Sequence, residues 1–124
     1  MALFTSSSNA ATLTNNVYGD LTNELANGNG YLTGGIVLTG VTWTRSGGTT
    51  TFDSNDPTLT ASGGTLTFRF AVIYVVKTIT APTGTVTNPL ICFSLLDNTP
   101  ADVSVASGNT LTFQMNASGI LTLS

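Results

Sequence analysis

The sequence predicts an all-β fold: a single-domain β-sandwich over residues 1–124, jelly-roll or immunoglobulin-like in topology. Three observations carry this expectation. Apolar residues alternate with period two through the middle of the chain, where Leu66, Phe68, Phe70, Val72, Tyr74 and Val76 share one parity and Thr65, Thr67 and Arg69 the other. Turn-forming clusters of Gly, Asp, Asn and Pro recur at spacings of roughly 8–12 residues, the rhythm of short antiparallel strands. Helix signals are nearly absent. Only Tyr18 to Ala26 has room for a helical turn or two, and its Thr and Asn density favours a loop.

Ile36 to Thr44 reads as a strand, with a change of phase at Gly40 that implies a bulge: Ile36 and Leu38 have one parity, Val41 and Trp43 the other. Ser46-Gly47-Gly48 turns the chain into a short strand from Thr49 to Phe52, and Asp53-Ser54-Asn55-Asp56-Pro57 and Ser62-Gly63-Gly64 are further turns. Thr65 to Val76 follows as one long strand. From Ala71 both of its faces are apolar, through Ile73 and Val75, so it should lie centrally in its sheet. Leu90 to Leu96 reads as a mostly buried strand. Thr110 to Met115 alternates with Leu111, Phe113 and Met115 inward, and Ile120 to Leu123 closes the chain. Pro82, Pro89 and Pro100 sit between runs, where a missing N–H harms no ladder. The apolar ends, Met1 to Phe4 and Ile120 to Ser124, suit either a neighbour's surface or the domain's own sheet.

Composition narrows the function. Of 124 residues only 7% are charged, against about 25% in ordinary soluble domains, while 41% are apolar. Hydration falls to neutral groups: 24 Thr, 11 Ser, 11 Asn and 13 Gly. A chain of this size should bury roughly two-thirds of its unfolded surface. The net charge of −3 and only three cations, Arg45, Arg69 and Lys77, argue against nucleic acid, whose affinity comes from neutralised phosphates. The longest apolar stretch, Phe70 to Val76, is far short of the roughly 20 residues that span a bilayer, so no membrane partner is expected. The first residues lack the basic and apolar regions of a secretory leader. Cys92, alone in an apolar run, cannot form an internal disulfide and reads as a small core hydrophobe.

Reactive groups are few. Without His, nucleophile–base catalysis loses its usual base, and zinc and most transition metals lose their usual ligands. A glycosidase-like pair would have to come from Asp20, Glu24, Asp53, Asp56, Asp97 and Asp102, all in expected turns or loops where Asp serves backbone hydrogen bonding. Asp53, Asn55 and Asp56 offer oxygen ligands for calcium but lack the distal Glu of a complete loop, so a turn is preferred. Gly28-Asn29-Gly30 and Gly34-Gly35 are hairpin and bulge glycines, since no strand–helix unit follows them. Asn116-Ala117-Ser118 matches the glycosylation acceptor pattern, which means little without secretion. Trp43, Tyr18, Tyr31 and Tyr74 are candidates for a sugar-stacking platform. Trp43 and Tyr74 lie in apolar strands and should be buried, while Tyr18 and Tyr31 stay open. The expectation is a non-enzymatic protein with no catalytic, cofactor-binding or metal-binding residues.

Three stretches resemble a family of small all-β proteins encoded by tailed bacteriophages beside virion structural genes. They are Gly30-Tyr31-Leu32-Thr33-Gly34-Gly35-Ile36-Val37-Leu38-Thr39-Gly40-Val41, then Ser46-Gly47-Gly48-Thr49-Thr50-Thr51-Phe52-Asp53, then Asp56-Pro57-Thr58-Leu59-Thr60. The resemblance continues through Leu66 to Tyr74, Asn88-Pro89-Leu90-Ile91 and Asn116-Ala117-Ser118-Gly119-Ile120-Leu121-Thr122, and so covers nearly the whole chain. It departs near Leu59, where the family often carries an aromatic, a difference of packing. What it implies is a virion protein made in the host cytoplasm: a capsid decoration (cement) protein that binds the major capsid protein. A homo-oligomer is implied as well, a trimer if it sits at threefold positions of the lattice. A tail or head–tail connector accessory protein is the nearest alternative, and a carbohydrate-binding module the next.

Overall fold

Short runs of Thr, Val, Ile, Leu and Phe between positive-φ glycines and asparagines become short strands, and the computed structural model, which describes all 124 residues, is all-β. Its strands are β1 (Ala2–Phe4), β2 (Thr42–Ser46), β3 (Thr49–Asp53), β4 (Thr58–Thr60), β5 (Leu66–Phe68), β6 (Phe70–Tyr74), β7 (Thr78–Ala81), β8 (Gly84–Thr87), β9 (Leu90–Leu95), β10 (Val103–Val105), β11 (Thr110–Thr112) and β12 (Leu121–Leu123). The only helical element is a single 3-10 turn, Tyr18–Asp20, and no helix is long and apolar enough to cross a membrane. All pairings are antiparallel and make five small sheets: β1-β6-β9, β10-β5, β11-β4, β12-β3-β2 and β7-β8.

The arrangement is sandwich-like around one principal core. Leu3, Ala71 and Ile73, from one face of β1-β6-β9, join Phe52, Leu59, Leu66, Phe68, Val105 and Phe113 from the opposing strands and their flanks. On the other face of the same sheet, Ala2, Phe4 and Val72 meet Ala10 in a smaller core, flanked by Tyr18, Leu21, Phe70, Tyr74 and Leu90. β6 is therefore central and covered on both faces, as its all-apolar sequence requires. The ends complete the fold's own sheets: β1 pairs with β6 and β12 with β3.

Several expectations need correction. The long strand from Thr65 to Val76 is two strands in two sheets, divided at Arg69. The Arg69 N–H donates to the Phe4 carbonyl at 2.8 Å, its own carbonyl accepts from Leu96 N–H at 3.0 Å, and its Nε holds Asp102 Oδ1 at 2.8 Å. That one residue carries the chain between sheets and shifts the phase. Leu66 and Phe68 share the principal core with Ala71 and Ile73, while Phe70, Val72 and Tyr74 serve the smaller one. Val76 lies beyond the strand and is 81% exposed. Ile36 to Val41 forms no strand; pairing begins at Thr42. At Gly40, φ is +60° and the Asn55 side chain lies over the backbone, which accounts for the phase change there without a ladder. Leu90 to Leu95 is half-buried at its start and exposed at its end, because β9 is an edge strand.

The molecule exposes more surface than its mass calls for. Its accessible area is 7251 Å², whereas a folded monomer of 12.7 kDa should show about 6,200 Å², an excess of roughly 1,000 Å². Against the unfolded chain, burial amounts to roughly 60%, below the two-thirds expected for this length. β2, β7 and β8 are exposed along their whole length.

Candidate interaction surface

The six carboxylates are dispersed, and no two share a hydrogen-bond donor. Asp20 accepts from the N–H groups of Asn16 and Val17, Asp53 from Ser54, Asp56 from Met115 and Asp97 from Thr99, while Asp102 pairs with Arg69. Asp53 thus spends an oxygen on its own turn and Asp56 on a long-range tie to the Met115 backbone, and the Asn55 side chain approaches the Thr39 hydroxyl instead of joining them. No group of three or more His, Cys, Asp or Glu comes together anywhere. Cys92 is half-buried, and burial pushes its thiol up, so it packs as a small protonated group.

Glu24 organises three of the aromatics. Its Oε1 accepts from the Tyr31 hydroxyl at 2.7 Å and from Gly34 N–H at 2.8 Å, and its Oε2 accepts from the Tyr18 hydroxyl. Tyr31 is buried, and its oxygen also accepts from Leu3 N–H at 3.0 Å, which ties the loop to β1. Tyr74 donates to the Gly34 carbonyl at 2.7 Å and stacks on Tyr18 with ring centroids 4.4 Å apart. Burial pushes all three phenols above their ordinary value, and the Glu24 charge pushes the same way. They remain neutral donors. The arrangement holds the fold together and leaves neither Tyr18 nor Tyr31 as a free stacking platform.

Trp43 reverses the expectation of burial: it is 52% exposed. Its strand, β2, is the outer edge of β12-β3-β2, so one face of the indole leans on Phe52 while the rest looks outward. Around it lies a shallow groove of about 320 Å³. Val37, Val41, Trp43, Val75 and Val76 are all exposed and all line it, with Ile36 and Ile91 among the residues deeper in. No Asp, Glu, Lys or Arg takes part. Small-molecule sites place a few polar groups to fix orientation, and twelve of the thirteen residues lining this groove are hydrophobic.

Beyond Val76 the chain rises into the β7-β8 hairpin. Ile79 stands opposite Val86 and Ala81 opposite Gly84 on one face; Thr78 opposite Thr87 and Thr80 opposite Thr85 on the other. Such alternation belongs to strands with one face covered. Here all eight strand residues are exposed, Ile79 at 46% and Val86 at 42%. A two-stranded hairpin is marginal by itself in water; this one is tied at its base, where Asn88 N–H donates to the Lys77 carbonyl and Tyr18 N–H to that of Asn88, and Thr85, Val86 and Thr87 share an open cleft with Asn16 to Gly19. The repeat Thr78-Ile79-Thr80-Ala81-Pro82-Thr83-Gly84-Thr85-Val86-Thr87 was the sequence signal for this arm. A second apolar cleft, of about 600 Å³, opens between β9 and the segment from Leu111 to Leu121, with Cys92 and Leu96 on one wall and Phe113 and Met115 on the other.

No family model matches the chain, and no curated protein or solved structure is similar to it.

Proposed function

We propose that this protein is a non-enzymatic structural component of a tailed-bacteriophage virion, a capsid decoration (cement) protein that binds the major capsid protein and stabilises the assembled head. The observation that carries the proposal is the exposed apolar surface formed by the hairpin and the Trp43 groove, beside which the chain places as charges only Lys77, between the two, and Arg45, two residues along β2 from Trp43. Exposed apolar side chains grouped in this way, on a chain whose carboxylates are dispersed singly, suit assembly better than chemistry. Thr78, Thr80, Thr85 and Thr87 on the other face of the hairpin supply uncharged hydroxyls beside it.

The mechanism is linkage. A protein that binds the closed shell and not its free subunits shifts the equilibrium toward the shell, by about 2.7 kcal/mol per site at a free concentration 100 times Kd. Repetition over the lattice multiplies the effect, and copies joined to one another add avidity. The test uses tail-less, DNA-filled heads that lack this protein. Added protein should co-sediment with them saturably and raise the temperature at which they release DNA. Protein that binds only tails or connectors, or binds no particle, would overturn the decoration role.

A further inference from the structure

We draw no further inference here: the strongest candidate, the apolar cleft between β9 and the segment from Leu111 to Leu121, is an unpartnered apolar face beside the free edge of β9, and nothing in the structure shows what covers it.

Discussion

Trp43 and Phe52 stand opposite each other across the β2-β3 ladder with ring centroids 4.8 Å apart, yet one is 52% exposed and the other 2%. The pair is the seam where the core meets the exposed apolar groove, and its two members should respond differently to truncation. Phe52→Ala should cost about 3–5 kcal/mol of protomer stability, as buried aromatics do. Trp43→Ala should cost about half of that, since much of its ring is never removed from water. Urea denaturation of dilute protein gives both numbers.

The sheet change at Arg69 makes a second prediction. Val72 is buried in the smaller core, whereas Phe70 is only half-buried at its margin. Val72→Asp should therefore destabilise by several kcal/mol, and Phe70→Asp by less, because a carboxylate at the margin still reaches water. Equal urea midpoints for the two variants would contradict the assignment of faces.

Glu24 and its tyrosines predict an alkaline limit. Removing the Tyr31 hydroxyl by Tyr31→Phe leaves Leu3 N–H without its partner and should cost about 1–3 kcal/mol. The phenols of Tyr18, Tyr31 and Tyr74 are raised in the folded chain, so the unfolded chain loses these protons first as pH rises. Their contribution is fully present below about pH 10, the ordinary tyrosine value, and is lost as pH climbs through the higher folded values. Melting temperature against pH should fall above that point, and fall less steeply in Tyr31→Phe.

Two glycines with positive φ should behave oppositely. At Gly35, φ is +86° and a Cβ would lie 2.1 Å from the Met1 carbonyl oxygen and 2.6 Å from Ala2 Cα, so Gly35→Ala must displace β1 from β6. Gly47, at φ +57° in the β2-β3 turn, has open space around it, and Gly47→Ala should cost only the left-handed backbone penalty of about 1–2 kcal/mol. Thermal melts of the two variants separate the cases.

How much of this was legible in the sequence depends on which residues are asked about. The all-β class, the central position of the Phe70–Tyr74 strand and the inward parity of Leu111 and Phe113 follow from local alternation, which depends only on neighbours in the chain. The switch at Arg69 does not, because parity shows which side chains share a face and not which backbone they pair with. Trp43 misled for a related reason: an apolar run destined for a surface groove has the same composition as one destined for a core. The β7-β8 arm was missed, although Thr78 to Thr87 alternates Thr with Ile and Val on either side of a Pro82-Thr83-Gly84 turn. The Glu24 network was not, since it depends on bringing Leu3 and Tyr74 beside the loop from Tyr18 to Gly34.

The proposed function is tested most directly by cryo-electron microscopy of virions of the tailed phage that, on that proposal, encodes this chain. The account predicts density for a 124-residue β-domain repeated over the capsid lattice. Density confined to the tail or portal vertex would contradict the shell-stabilising role, and virions with no such density would contradict the virion assignment altogether.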